Sequence, residues 1–318
     1  MPFTSRMYAR TEDRDRLARF LAEAVAEGGG EPRPGYWHPG DLIWGMYQNT
    51  VFNPKTSIRL WEDATSGALL GLTWLESRGE SGEMNTQLAP HIRATQEGAD
   101  IVAQALAWAR RAAARRHVTR LWALALDSDP WQIALLAANG FARDDAHAGY
   151  VHFRRPFDGA PLPAAPLPEG FTVRAVRGEE EWQRRVDLHR VVYHPSRVTL
   201  PAYRRLRAAP IYRPELDLVA VSPAGDFVSY CIVWYDERNY VGEYEPVGAH
   251  PDWRQRGISR AVLVEGLRRL RALDAERAIV LTNSDNTPAI RLYESIGFVR
   301  HDTERYYRVG RFAAAPAW

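Results

Sequence analysis

The hydrophobic pattern of the second half of the chain predicts two strand–helix pairs. Residues 240–249 form a strand-like run, and apolar side chains recur at helical spacing in residues 260–272. The short apolar run 278–282 predicts another strand. It is followed by a helix-like segment that ends before Gly297, since glycine is typical just beyond a helix end.

The segment between the first predicted strand and helix predicts an anion site. Its sequence is HPDWRQRGIS, and it places Arg254, Arg256 and Gly257 directly before the helix. Free backbone N–H groups and the positive end of the helix dipole converge at a helix N-terminus, so an anion is favoured there. A phosphate-bearing ligand is therefore the first functional hypothesis.

Two motifs connect this hypothesis to a known family. The loop Arg254-Gln255-Arg256-Gly257-Ile258-Ser259 resembles the Q/R-x-x-G-x-G/A loop of the GNAT (GCN5-related N-acetyltransferase) superfamily, with Ser259 in place of the last small residue. The later segment resembles the N-x-x-A-x-x-L-Y-x-x-x-G-F motif of the same family, matched at Asn286, Ala289, Leu292, Tyr293, Gly297 and Phe298. The resemblance covers roughly residues 170–310. It implies an α/β fold in which a twisted mixed sheet is flanked by helices.

The resemblance also implies a site for acetyl-CoA as co-substrate. In this family the loop binds the pyrophosphate, which assigns that contact to Arg254, Gln255, Arg256, Gly257, Ile258 and Ser259. A bulged strand exposes backbone groups to the pantetheine arm and the thioester, which implies contacts from Val247, Gly248 and Ala249. Asn286 and Ala289 are further implied cofactor contacts, although helix capping alone explains an asparagine at position 286.

The bulge also has support from the residues themselves. Pro246 and Gly248 lie in the predicted strand. Proline cannot donate a ladder hydrogen bond, and glycine tolerates the backbone geometry of a bulge. A disrupted ladder is therefore expected at this point of the sheet.

Acetyl transfer to an amine needs a neutral amine and a proton for the departing thiolate. The resemblance implies that Tyr293 donates this proton. Glu243 and Glu245 lie two positions apart, so on a strand they point to one face. Either Glu243, at the position where GNAT enzymes commonly place a glutamate, deprotonates the amine through water, or Glu245 holds the ammonium group. Two solvated carboxylates on a sheet face remain the structural alternative.

Composition narrows the class of protein. The chain has 318 residues, a net charge of +2 and a single cysteine, Cys231. Its basic residues are spread along the chain, so we expect no nucleic-acid partner. With no metal-ligand spacing we expect no metal. No signal peptide and no bilayer-length apolar run predict a cytoplasmic protein without membrane contact, as a monomer or a homodimer.

A proline-rich stretch, residues 156–168, predicts a linker between two related halves. An offset of 157 positions aligns Gly297 with Gly140, which indicates a tandem duplication. The same offset aligns Asn286 with Asp129, Tyr293 with Leu136 and Gly257 with Asp100. Because acids would repel phosphates, residues 1–155 are predicted to be a degenerate GNAT-like domain. Residues 169–318 are predicted to be the GNAT domain with the acetyl-CoA site.

These inferences together predict an acetyl-CoA-dependent N-acetyltransferase that acts on a primary amine of a small molecule. Glu243 and Glu245 favour a cationic acceptor. Two alternatives stay open: a non-catalytic acyl-CoA-binding sensor and an aminoacyl-tRNA-dependent transferase. The aromatic residues Tyr36, Trp37 and Trp44, together with His38, are interpreted as core or interdomain packing.

Overall fold

The computed structural model describes residues 2–27, 37–48 and 52–309. Within these residues the chain forms thirteen strands and ten α-helices, with short 3-10 turns at Pro214–Leu216 and Pro251–Trp253. The strands are β1 (Phe3–Met7), β2 (Ile58–Asp63), β3 (Leu69–Arg78), β4 (Ser81–Leu88), β5 (Arg120–Leu126), β6 (Phe141–Arg143), β7 (Tyr150–Pro156), β8 (Thr172–Ala175), β9 (Asp217–Val221), β10 (Phe227–Asp236), β11 (Val241–Ala249), β12 (Arg277–Asn283) and β13 (Val299–Val309). The helices are α1 (Thr11–Glu27), α2 (Pro39–Gln48), α3 (Pro54–Ser57), α4 (Pro90–Arg93), α5 (Gln96–Arg115), α6 (Pro130–Ala138), α7 (Glu179–Val192), α8 (Leu200–Arg207), α9 (Ile258–Ala272) and α10 (Thr287–Ser295).

The predicted elements of the second half are β11, α9, β12 and α10. Alternation and apolar spacing decide these elements locally, because one face of each must be buried. Val262, Leu263 and Leu267 lie on the buried face of α9 against the sheet. No helix among the described residues is long and apolar enough to cross a membrane.

All the strands join one sheet, and the two halves exchange their last strands within it. The order is β1-β2-β3-β4-β5-β13-β7-β12-β11-β10-β9-β8, with β6 paired to β13. Strand β7, from the first half, lies antiparallel to β12 and sets Phe153 opposite Val280. In return, β13 pairs with β5 and β6 and sets Tyr307 opposite Ala123 and Arg143. Each half therefore completes the sheet of the other.

The halves share a repeated local geometry. Helices α6 and α10 begin 157 positions apart, and their N-caps Asp129 and Asn286 each accept a backbone N–H of the first turn. Strands β4 and β5 pair in parallel, as β11 and β12 do. The uniform offset fails at the loop, because α5 begins at Gln96 and α9 at Ile258, 162 positions apart. Thr95, not Asp100, therefore stands where Gly257 stands in the second half.

Residues 157–168 form neither helix nor strand and run along α9. Leu162 and Leu167 pack against the core of the second half. The side chains of Arg260 and Arg271 donate to the carbonyls of Ala164 and Ala160. The division into domains at 155 and 169 stays a prediction, and this stretch is bound to the second half along α9.

Helix α2 of the first half lies on the sheet of the second half. Ile43 and Trp44 share a buried cluster with Val186 and Trp234. Gly40 permits the close approach, because a Cβ atom there would lie 2.3 Å from Cγ of Trp234. The contact brings polar residues of α2 and the residues before it to the face of β11 that bears Glu243 and Glu245.

Candidate active site

A cleft opens in the sheet of the second half where β11 leaves β12. The two strands pair in parallel only over residues 241–243, which lie opposite residues 277–279. Beyond that point β12 continues its pairing with β7. On its other side β11 carries one extra residue, since Cys231 pairs with Val247 while Val233 pairs with Tyr244. This is a β-bulge at the predicted position, and it turns β11 away from β12.

Beyond the bulge, every second backbone carbonyl group of β11 faces the cleft. The N–H of His250 donates to Val228, so residues 247 and 249 face away from β10 in the alternation of an antiparallel ladder. The carbonyl of Val247 accepts the hydroxyl of Tyr193 at 2.6 Å, and that of Ala249 accepts Nε of Arg254 at 3.3 Å. The carbonyl of Gly248 instead accepts from Ser229 at 2.9 Å, on the β10 side.

The loop before α9 forms an open turn around the helix N-terminus. Gln255 and Gly257 both have positive φ, at 61° and 74°, and Gly257 is the residue that precedes the first turn. Residues 254–257 are exposed, so the guanidinium groups of Arg254 and Arg256 are accessible. The hydroxyl of Ser259 turns inward to the hydroxyl of Ser229 at 3.0 Å. The unpaired N–H groups of the first helical turn are therefore open to an anion.

Glu243 is buried beside a histidine of the first half. Only 3% of Glu243 is exposed, and its Oε2 lies 3.1 Å from Nδ1 of His38. That oxygen nevertheless makes no hydrogen bond to the described residues. The nitrogen is shared with the N–H of Gly40 at 3.0 Å. Burial lowers the pKa of His38, but the charge of Glu243 outweighs it, so the pKa of His38 rises above its usual value.

Glu245 and Asp41 hold protons more tightly than ordinary carboxyl groups. Burial, followed by the charge of Glu243, raises the pKa of Glu245 to about 8, and a hydrogen bond from Trp44 acts in the opposite direction. Burial and the charges of Glu243 and Glu245 raise the pKa of Asp41 well above its usual range. Like charges held together out of water produce this effect. Glu245 is therefore set for proton exchange near neutral pH.

Tyr293 is buried on α10 between two phenylalanine rings. Its exposure is 5%, and its ring lies 5.9 Å from Phe153 of β7 and 6.1 Å from Phe298. Burial first, and then Tyr193 and Glu245, raise the pKa of Tyr293 well above 10. The phenol therefore keeps its proton at neutral pH. A proton donor toward the cleft is consistent with this state.

Asn286 is engaged by its own helix. Its Oδ1 accepts the N–H of Ala289 at 3.3 Å, and its Nδ2 donates to Thr282 at 3.0 Å. Asn286 thus caps its own helix. The contacts of Asn286 and Ala289 with a cofactor stay a prediction.

A cavity of about 380 Å³ lies between the two halves, below Glu243 and Glu245. Its acids come from both halves and from strands far apart in sequence: Asp41, Glu76, Glu83, Glu243, Glu245, Asp302 and Glu304. The sequence analysis identified only Glu243 and Glu245, because no periodicity connects the others. No group of three or more His, Cys, Asp or Glu among the described residues is arranged to hold a metal ion.

A second cavity of about 640 Å³ adjoins the first beneath α7. It is lined by His189 and Tyr193, and it shares Trp44 and Glu245 with the acidic cavity. Trp44, which the sequence suggested as packing, is buried and packs edge-on to His189 at 5.2 Å. It also donates a hydrogen bond to Glu245 and lines both cavities. Tyr36, grouped with it in the sequence, lies outside the described residues.

The corresponding cleft of the first half is filled by its own side chains. The guanidinium of Arg93 forms an ion pair with Asp129 and lies 5.1 Å from the ring centroid of Trp131. A void of only about 20 Å³ remains there. At the start of α5, the Thr95 hydroxyl accepts the N–H of Gly98 at 3.3 Å. Among its described residues, the first half thus has neither the open cleft nor the uncapped helix end of the second half.

Comparison with known proteins agrees with this geometry. The model of the Acetyltransferase (GNAT) family matches residues 182–298. The chain is 30% identical over 254 residues to the mycothiol acetyltransferase of Salinispora arenicola, covering 77% of this chain and 79% of that one. It is 33% identical over 199 residues to the mycothiol acetyltransferase of Thermobispora bispora, covering 59% and 65%. Matched segments thus span more than half of each relative.

Solved structures show the same architecture at low identity. A tandem GNAT protein from the clavulanic acid biosynthesis pathway superposes with a TM-score of 0.69 at 18% identity, covering 99% of this chain and 100% of the other. A GCN5-related N-acetyltransferase from Sphaerobacter thermophilus gives a TM-score of 0.63 at 19% identity, covering 96% and 95%. At these identities the likeness concerns the fold.

The fold and the relatives together define a tandem acyltransferase. The chain belongs to the GNAT acetyltransferase family and has the two-domain architecture found in mycothiol acetyltransferases. It is an N-acetyltransferase, an enzyme that transfers an acetyl group to an amine.

Proposed function

We propose that this chain transfers the acetyl group of acetyl-CoA to a primary amine of a small molecule, at a single site in its second half. The observation that supports this most directly is the cleft between β11 and β12. It runs from the open N-terminus of α9 to the buried Glu243 and the half-buried Glu245. A phosphate site and a proton acceptor are thus connected by one strand.

The chain fits a CoA thioester at two points. The exposed Arg254 and Arg256, with the first-turn N–H groups of α9, suit a pyrophosphate. The backbone of Val247 and Ala249 suits the amide-bearing arm. When bound, acetyl-CoA supplies the activated acyl group.

Glu245 is the proposed proton acceptor for the amine. With a pKa of about 8, its carboxylate has a basicity near that needed to take a proton at neutral to mildly alkaline pH. Glu243 adds negative charge that holds the incoming ammonium group, and Asp41 lies beside it in the same cavity. Tyr293, protonated throughout the neutral range, is the proposed donor to the departing sulfur.

In this proposal the first half binds no acetyl-CoA of its own, but it contributes side chains to the site in the second half. It contributes Asp41, Trp44 and His38 to the acceptor side. Its own cleft is closed by Arg93 and Asp129. One molecule of acetyl-CoA per chain follows from this arrangement.

The proposal is tested by calorimetric titration of the full chain with acetyl-CoA. We expect one site per chain, abolished in an Arg256→Glu, Gly257→Asp double variant, because two acids at the helix N-terminus repel the phosphates. The control is Ala94→Glu, which adds an acid at the corresponding exposed loop of the first half. Two sites, or loss of binding in the control, would contradict the single-site proposal.

The acceptor is tested by turnover. Because the relatives are named mycothiol acetyltransferases, a small-molecule thiol that bears an amine is the first acceptor to try. Release of free CoA that depends on the amine supports catalysis. Binding of acetyl-CoA without turnover on any primary amine would instead indicate a binding protein.

A further inference from the structure

The second cavity differs in charge from the acidic cavity with which it shares Glu245. Its described lining contains one permanently charged basic group, Arg197, and one carboxyl group, Glu245 itself. Burial, followed by the charge of Glu243, raises the pKa of Glu245 to about 8, so most of Glu245 is neutral at pH 7. Burial lowers the pKa of His189, the other titratable ring of this lining with a shifted value, to about 3. The lining therefore has a positive charge near neutral pH.

The guanidinium group of Arg197 is accessible to a ligand. It is exposed at the cavity and makes no hydrogen bond or ion pair with the described residues. Neighbouring arginines of α7 and α8 are engaged, because Arg185 pairs with Asp217 at 3.1 Å and Arg204 with Glu179 at 3.2 Å. A guanidinium group presents a planar fork of donors that matches a carboxylate. Arg197 can thus bind an anionic group without first losing an ion pair.

The backbone on either side of Arg197 is held in place. Val198 is 5% exposed and packs in a buried cluster with Ile43 and Trp234. The hydroxyl of Ser196 accepts the N–H of Val198 at 3.3 Å, which leaves its own proton for another acceptor. Ser196 lines the same cavity. The loop therefore presents one cation and one neutral donor to a ligand in the second cavity.

We propose that the acceptor carries a carboxylate, which Arg197 binds in the second cavity while the amine to be acetylated lies at Glu245. This inference rests on the proposed function and narrows its substrate class to amino acids and other amino carboxylates. One permanent positive charge matches a carboxylate better than the nearly two negative charges of a phosphate monoester. A cavity of about 640 Å³ is of the size that small-molecule ligands occupy. The carboxylate is unchanged by acetyl transfer, so its contact with Arg197 acts in specificity.

Matched acceptors test the inference on the full chain. The probes are 4-aminobutanoate, 6-aminohexanoate and 8-aminooctanoate, each compared with its own carboxamide, which has the same shape and no negative charge. Three lengths are used because amine and carboxylate must reach Glu245 and Arg197 together. For the best of the three, kcat/KM should exceed that of its carboxamide by about fivefold or more, because a bidentate arginine–carboxylate pair is charge-assisted.

Two results of this comparison would overturn the inference. One is a carboxamide that is as good an acceptor as its amino acid at all three lengths. The other is 2-aminoethyl phosphate as a better acceptor than every amino acid, which would show that the bound anion is a phosphate.

Variants then assign the preference to Arg197. Arg197→Gln should reduce the ratio of kcat/KM for acid and amide to about one, and Arg197→Lys should retain part of it, since lysine keeps the charge. Arg190→Gln is the matched control, because Arg190 is exposed on α7, has no ion pair with the described residues and lines neither cavity. An unchanged ratio in Arg197→Gln, or an equal fall in Arg190→Gln, contradicts the role of Arg197.

Ionic strength supplies a second measurement on the same proteins. The ratio for the native protein should fall as salt is added, whereas the ratio for Arg197→Gln should not change, because salt screens only an existing charge pair. A native ratio independent of salt counts against the inference. Failure of every amine, acid or amide, to support CoA release would contradict the proposed function itself, which keeps the two failures distinguishable.

Discussion

Gly40 of α2 lies so close to Trp234 of β10 that a Cβ atom at position 40 would fall 2.3 Å from Cγ of the indole. This contact joins the halves beside the site. The indole N–H of Trp234 donates in turn to the carbonyl of Glu245 at 2.6 Å. A glycine in the first half thus sets how near α2 comes to the proposed base in the second.

Gly40→Ala is predicted to displace α2 from the sheet. Because the indole is fully buried and cannot move aside freely, overpacking should destabilise the protein by about 1–3 kcal/mol and lower kcat/KM for the amine. Thermal unfolding and turnover measure the two effects. Gly45→Ala is the comparison, since its Cβ would lie 3.2 Å from Trp74 and should cost less. An unchanged unfolding temperature in Gly40→Ala would show that α2 does not depend on this contact.

Glu245→Gln is predicted to lower turnover by a factor of about 10²–10⁴, the usual contribution of a general base. In the native protein kcat/KM should rise with pH through an apparent pKa of about 8. In the variant this rising limb of the pH profile should disappear, while the affinity for acetyl-CoA remains. Glu243→Gln, measured alongside, separates the two carboxyl groups, and loss of the limb in Glu243→Gln alone would assign the base to Glu243.

The same substitution should change how stability depends on pH. The pKa of Glu245 is raised in the folded protein, so the folded state binds the proton more tightly than the unfolded state. Its neutral form is stable in the fold at low pH, and stability is lost as pH rises from about 4.5 towards 8. Glu245→Gln should therefore be more stable than the native protein at pH 9 and nearly equal at pH 4. Parallel unfolding curves at both pH values measure this, and an advantage confined to pH 4 would reverse the assignment.

Trp44→Phe is predicted to shift the pH profile of kcat/KM while it keeps an aromatic ring at this position. The indole hydrogen bond lowers the pKa of Glu245, so its loss should raise that pKa further and move the limb of kcat/KM upward by about one pH unit. Phenylalanine keeps most of the packing against His189. A lower rate with an unmoved limb would indicate that Trp44 only packs.

Tyr293→Phe is predicted to reduce kcat by about 10²–10⁴ and leave acetyl-CoA binding intact, because only the proton donor is removed. Calorimetry and turnover on the same preparation separate the two effects. Thermal unfolding checks that the buried ring still packs between Phe153 and Phe298. An unchanged kcat would assign the proton to another group.

The two strand–helix pairs of the second half show how much of this protein follows from sequence. The runs 240–249 and 278–282 predicted β11 and β12, and Gly257 predicted the start of α9. Pro246 and Gly248 predicted the bulge, which lies between the pairings of Tyr244 and Val247. Local rules suffice here, because a strand, a helix end or a bulge depends on a few neighbouring residues.

The sequence also indicated that the two halves are related, but the single offset of 157 positions does not hold at the loop before α9. Five positions separate the offset of 157 at α6 and α10 from the 162 at α5 and α9. An insertion in a loop leaves no periodic mark, so Asp100 was set against Gly257 although Thr95 takes that position. The predicted repulsion by Asp100 therefore does not explain why the first half has no open site. The capped start of α5 and the ion pair of Arg93 with Asp129 explain it instead.

The sequence by itself determined β11, α9, β12 and α10, the exposed loop before α9, and the pair Glu243 and Glu245 on one strand. Only the tertiary structure decided that β7 and β13 change places between the halves, and that Asp41, His152 and Glu304 meet those glutamates in one cavity. Backbone pairing and burial act between residues that are far apart along the chain, and such contacts follow no spacing along it. Local patterning therefore predicts the proposed acetyl-CoA side of the site, whereas the residues of the proposed acceptor side meet only in the folded protein.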